Sequence, residues 1–81
     1  MRVDDPAVIV REHRGAADTF LWVLNPTRHD VETTVHLGPG AGDFSACTVR
    51  WGRPDAARPG GARRIDLSVP ARDGVLLRGA R

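Results

Sequence analysis

Eighty-one residues, 41% of them apolar, allow one domain with a core of its own; so short a chain buries only about 60–65% of its unfolded surface, so its stability is modest. A single cysteine, Cys47, excludes an internal disulfide framework, and no apolar run approaches the roughly 20 residues of a membrane-spanning helix. The twelve basic residues are all arginine and face ten acids; residues 1–49 hold four arginines against seven acids, residues 50–81 eight against three, an asymmetry that hints at an acidic partner surface or an anionic ligand.

Arginine as the only base, beside abundant Ala, Gly and Pro, fits the codon usage of a GC-rich bacterial genome better than selection for guanidinium chemistry. The opening, Met1 to Pro6, has no apolar signal segment and would equally suit a piece of a longer protein. Ala7–Arg11 is short and β-branched, a first strand. Gly15–Asp18 is small and polar, a turn. Thr19–Leu24, rich in β-branched and aromatic residues, is a second strand, ended by Asn25-Pro26 because proline cannot donate to a ladder. Val31, Thr33, Val35 and Leu37 then alternate with Glu32, Thr34 and His36, a strand with one wet face.

Gly38–Asp43 is a flexible connection. Ala46–Trp51 is a fourth strand, with Cys47, Val49 and Trp51 on one side. Gly52–Ala62 is the longest unpatterned stretch and is expected to be the most mobile. Ile65, Leu67 and Val69 alternate with Asp66 and Ser68 in a fifth strand, Pro70–Asp73 turns the chain, and Gly74–Arg78 is a sixth. Short strands with Gly and Pro between them predict a small antiparallel β-sandwich of six or seven strands over residues 1–81. Its expected core is Val8, Val10, Phe20, Trp22, Leu24, Val31, Val35, Leu37, Val49, Ile65, Leu67, Val69, Val75 and Leu77. The first, second and sixth strands are apolar on both sides. If they share a sheet, its outer face is a hydrophobic docking surface, with Ile9, Leu21, Val23 and Leu76 as the outward residues.

The run Phe20 to Thr27 followed by Val31 to Leu37 resembles the strand, Asn-Pro and alternating strand of the C-terminal β-sandwich domains that follow the catalytic barrel of amylase-like and β-galactosidase-like glycoside hydrolases. Ile65 to Arg78, an alternating strand, a Pro-containing turn and a short apolar strand, resembles the last two strands of such domains. The resemblance implies a non-catalytic accessory domain that packs against the barrel, stabilises it and contacts polysaccharide in some cases. The chain departs from that arrangement in lacking any barrel.

The residues themselves offer little chemistry. Seven of the ten acids fall in turns, and no pair has a spacing that forces the convergence glycoside hydrolysis needs. His13, His29, His36 and Cys47 lack the close spacing of zinc ligands, so neither metal nor cofactor is expected. Cys47 reads as a small buried hydrophobe. For sugar stacking, Trp51 beside Arg50 and Arg53 is the best candidate, Phe20 and Trp22 being assigned to the core. A competing class is a small basic β-barrel that binds nucleic acid through the Arg50–Arg64 loop, where Arg50, Arg53, Arg58, Arg63 and Arg64 surround Trp51. The expected partners are a catalytic domain or another protein surface, and polysaccharide secondarily; neither nucleic acid nor a membrane is the expected partner.

Overall fold

Alternation of apolar and polar residues is strongest over residues 31–37 and 65–69, and there the strands lie where the pattern puts them. The computed structural model describes residues 1–81 and contains eight strands and no helix: β1 (Arg2–Val3), β2 (Ile9–Arg14), β3 (Asp18–Asn25), β4 (Val31–His36), β5 (Asp43–Trp51), β6 (Ala57–Pro59), β7 (Arg64–Val69) and β8 (Asp73–Ala80). They form two antiparallel four-stranded sheets, ordered β1-β4-β7-β6 and β2-β3-β8-β5. The class is the expected one. The strand count exceeds six or seven because β1 and β6 are two and three residues long, too short to show a period.

The core lies between the sheets. Val31, Thr33 and Val35 of β4 and Ile65, Leu67 and Val69 of β7 face inward from one side; Leu21 and Val23 of β3 and Val75 and Leu77 of β8 face them from the other. Val8, Leu37, Phe44 and Ala56 close the ends and sides. Burying each such side chain contributes about 1.5–3 kcal/mol. Phe44 reaches its place because Gly79 lies beneath it: a Cβ there would stand 2.9 Å from the ring and 2.7 Å from the Asp43 carbonyl.

Three expectations are corrected. In β3 the inward residues are Leu21 and Val23, both fully buried, whereas Phe20 and Trp22 are half-buried and Leu24 is exposed. Leu21 and Val23 therefore do not belong to any interaction surface, and Phe20, Trp22 and Leu24 do not belong to the core. Both parities of this strand are apolar, so alternation carries no information, and cross-strand pairing of Leu21 with Leu77 and Val23 with Val75 decides the matter. In β5 a register shift between Val49 and Trp51 puts the two residues on opposite sides, so Val49 packs against the core while Trp51 stands outside it. The Gly52–Ala62 stretch is pinned rather than loose. The Ala56 amide donates to the Arg53 carbonyl at 3.0 Å, its own carbonyl accepts from the Ser68 amide at 2.9 Å, and β6 pairs with β7.

Asn25 is the one buried amide side chain. Its Nδ2 donates to the carbonyls of His29, Val69 and Pro70 at 2.7, 3.1 and 3.2 Å, and its Oδ1 accepts from the Thr27 amide and hydroxyl at 3.0 and 2.6 Å. One side chain thus ties the β3–β4 connection to the turn between β7 and β8. Every hydrogen-bonding position that Asn offers is used, which is what makes its burial affordable.

Candidate functional site

Two surfaces stand out from the rest of the molecule, and they meet at Trp51. The first is the outer face of the β2-β3-β8-β5 sheet. Across it, Arg11, Trp22, Leu76 and Trp51 form one cross-strand row, and Ile9 and Leu24 the adjoining one, where the Leu24 side chain lies over the backbone of Gly74. Next to the Trp22 row on its other side come His13, Phe20, Arg78 and Thr48. Ile9 and Leu24 are each about two-fifths exposed, at 40% and 39%. β2, β3 and β8 do share a sheet, so the condition for an apolar outer face is met. Its residues are Ile9, Trp22, Leu24 and Leu76, with Phe20 beside them; Leu21 and Val23 lie underneath. Arg11, His13 and Arg78 border it, the last paired with Asp18 at 3.0 Å.

The second surface is a groove of about 880 Å³ at the end of the sandwich that carries the Asn25 network. Three separate segments build it: Asp30 to Glu32 at the start of β4, Trp51 to Arg58 from the end of β5 into β6, and Ser68 to Gly74 from β7 into β8. Trp51 is 59% exposed on its rim. It is held there by the register shift before it and by Gly52 after it, whose φ of 114° is open to glycine at no steric cost. Arg53 and Arg58 also line the groove; Arg50, at the register shift, does not.

The groove carries four carboxylates, Asp30, Glu32, Asp55 and Asp73. Three are anchored through one oxygen: Asp30 Oδ1 accepts from the Ala71 amide at 2.9 Å, Asp73 Oδ1 from the Gly74 amide at 2.7 Å, and Glu32 Oε1 from the Ser68 hydroxyl at 3.4 Å. The five ion pairs of the molecule all lie elsewhere, so neither these carboxylates nor the two guanidiniums are paired. In the sequence Asp30, Asp55 and Asp73 stand as separate turn residues. The signal that would have joined them is topological: in an antiparallel sandwich, the turn before β4, the loop after β5 and the turn before β8 open at the same end.

The remaining arginines of the Arg50–Arg64 stretch do not join Arg53 and Arg58. Arg63 Nη2 donates to the Pro39 carbonyl at 3.4 Å and Arg64 Nε lies 3.7 Å from Asp66, toward the opposite end, where Arg64 pairs with His36 across the sheet. On the polar outer face of the β1-β4-β7-β6 sheet, the Thr34 hydroxyl donates to Asp66 Oδ1 at 2.7 Å. That bond, and after it the guanidiniums of Arg64 and Arg58, holds the Asp66 carboxyl below its usual range despite an opposing effect of burial. Cys47, half-buried against the core, has its thiol pushed up by burial, which leaves it a poor nucleophile. His36 Nε2 lies 3.0 Å from Asp4 Oδ1.

No protein-family model matches the chain, and neither a curated protein nor a solved structure is found to be similar to it.

Proposed function

We propose that this domain is a non-catalytic accessory module, of the kind that follows the barrel of glycoside hydrolases, and that it acts by packing the outer face of its β2-β3-β8-β5 sheet on a neighbouring protein surface. The observation that carries this reading is the patch formed by two adjoining cross-strand rows, Ile9 with Leu24 and Trp22 with Leu76, on a sheet face that antiparallel sandwiches ordinarily leave polar. With strands about 4.8 Å apart and same-face residues about 6.8 Å apart, the patch covers on the order of 200–300 Å². A stable complex between free proteins buries about 800 Å² on each partner. A patch this small suits a partner held at high effective concentration, such as a catalytic domain on the same polypeptide. Arg11 on its border, without an ion-pair partner, calls for an acidic group beside an apolar centre on that partner. Trp51, at the edge of the patch, is left free to contact polysaccharide.

The test places a photo-crosslinking phenylalanine analogue at position 22 or at position 34 in the protein as its own cell makes it. Adducts to one protein surface from position 22, absent from position 34, are expected. Equal adducts from both positions, or none from position 22, would overturn the packing role.

A basic barrel binding nucleic acid through Arg50–Arg64 draws less support. Single-strand binders align a cationic track with stacking aromatics; here Arg53 and Arg58 share their groove with four carboxylates, and Arg63 and Arg64 point toward the far end.

A further inference from the structure

The groove at the Asn25 end has a combination of groups that packing does not require. A Trp more than half exposed is an unusual rim for a small domain, and the backbone is shaped to keep it there: the register shift after Val49 turns Trp51 out of the core-facing phase, and Gly52 carries the chain away at positive φ. Shifts of this kind commonly re-aim a side chain. Because Trp51 sits at the end of a strand paired to β8, its backbone is placed by a ladder rather than by a loop.

Along the groove stand hydrogen-bonding groups of both kinds with no ion pair among them; Arg58 Nη1 donates to the Ser68 hydroxyl at 3.4 Å, which in turn donates to Glu32. Asp30, Glu32 and Asp73 are each fixed by a bond to one oxygen, leaving the second as an acceptor; Asp55 is exposed and unpaired; Arg53 and Arg58 supply donors. Four carboxylates against two guanidiniums make the groove negative, which disfavours phosphates and other anions. A ligand that satisfies oriented acceptors and donors together, brings an apolar face to an indole and carries no negative charge is a neutral saccharide: its hydroxyls donate to carboxylates and accept from guanidiniums while its C–H face stacks on the ring. The volume of about 880 Å³ falls within the roughly 300–1,000 Å³ of small-ligand pockets, room for a few sugar units.

We infer that this groove is a binding site for a neutral oligosaccharide, with Trp51 as the stacking platform, Asp30, Glu32, Asp55 and Asp73 as hydroxyl acceptors and Arg53 and Arg58 as donors. The inference rests on and deepens the polysaccharide contact of the accessory-module reading; the groove adjoins the Trp22 patch at Trp51 and otherwise draws on residues outside it. Crosslinking at position 22 and sugar binding at Trp51 therefore fail independently.

The test is an NMR titration of the ¹⁵N-labelled protein with maltohexaose, cellohexaose and laminarihexaose at millimolar concentration, following the two indole N–H signals. Expected is a saturable shift of the Trp51 signal with at least one of them, insensitive to added salt, with the Trp22 signal unmoved. Trp51→Ala, a change at an exposed edge, should leave the fold intact and weaken the affinity at least about tenfold, equivalent to ~1.4 kcal/mol. Asp55→Asn should weaken it less and leave the spectrum otherwise unchanged. Silence of Trp51 with all three sugars would overturn the proposal. So would a salt-sensitive response of the groove to an oligolysine peptide that no sugar reproduces, which would mark it as a cation site, or a salt-sensitive response to a single-stranded oligonucleotide through Arg50–Arg64 in the absence of any sugar effect.

Discussion

The two sheets press against one core and turn different outer faces to their surroundings. On β4 and β7 the outward residues are Glu32, Thr34 and His36 and Arg64, Asp66 and Ser68; Thr34 bonds to Asp66 and Glu32 to Ser68 across the strands, and Arg64 lies beside Asp66 along β7. On β3 and β8 they are Phe20, Trp22 and Leu24 and Gly74, Leu76 and Arg78. Strand alternation reports where water is, and it reports this only for a face that water reaches. Where both faces of a strand are apolar, the pattern stops distinguishing inside from outside, and that loss is itself the sign of a second surface with another task.

The largest effect should come from the two sides of β3. Leu21→Asp puts a charge with no partner into the centre of the core and should cost on the order of 4 kcal/mol or more, enough to unfold a domain of this size. Trp22→Asp, one residue away, should leave the domain folded at a cost of roughly 1–2 kcal/mol. Urea unfolding of the two variants measures the difference, and equal losses would break the assignment of inner and outer faces. A smaller effect sharpens the same contrast. Trp22→Ser with Leu76→Ser should retain the native circular dichroism spectrum and abolish binding of a hydrophobic dye, while Thr34→Ser with Ser68→Ala on the polar sheet should leave dye binding as it is.

The smallest effect concerns acid. Asp66 titrates lower in the folded protein than in the unfolded chain, where a carboxyl of this type titrates near 3.8, so its contribution to stability is present above that value and is lost as pH falls through the folded pKa. Removing the Thr34 hydroxyl removes the foremost cause of the shift. In Thr34→Val the Asp66 carboxyl should titrate at higher pH, followed by its side-chain carbon signal, and acid unfolding should begin at a higher pH than in the unaltered protein. An unchanged Asp66 titration would mean that Arg64 and Arg58 set its value instead.

The contrast also explains which parts of the molecule were legible in the amino-acid sequence. β4 and β7 were, down to the inward Val31, Val35, Ile65, Leu67 and Val69, because each apolar residue is followed by a polar one. The parity of β3 was not, because Phe20 and Leu21 are equally credible core residues until β8 is placed beside them. The side taken by Trp51 was hidden by the register shift in β5, which leaves no mark in composition. β1 and β6 were too short to show any period, and β6 ends in Pro59, which reads as a loop residue. The exposure of Trp51 and the nearness of Arg53 were visible from its place at a strand end among arginines. Convergence of Asp30, Asp55 and Asp73 on the same groove depends on three connections opening at one end of the sandwich, a property of topology and not of any local stretch.

The Asn25 amide has a consequence for how the chain arrives at this structure. Two of its acceptors, the carbonyls of Val69 and Pro70, lie 44 and 45 positions along the chain. While the β3–β4 connection is still open to water, its N–H groups are solvated and nothing is lost. Once that end of the core is dehydrated with the β7–β8 turn not yet in place, the amide hydrogen that the His29 carbonyl does not take is buried without a partner, a penalty of about 1–3 kcal/mol. Half-assembled states in which one of these two connections between the sheets has packed ahead of the other are thereby raised in energy relative to both the open chain and the finished sandwich. A single side chain acts as a check on simultaneity, making an all-or-none transition out of what the two sheet-to-sheet connections could otherwise do piecemeal.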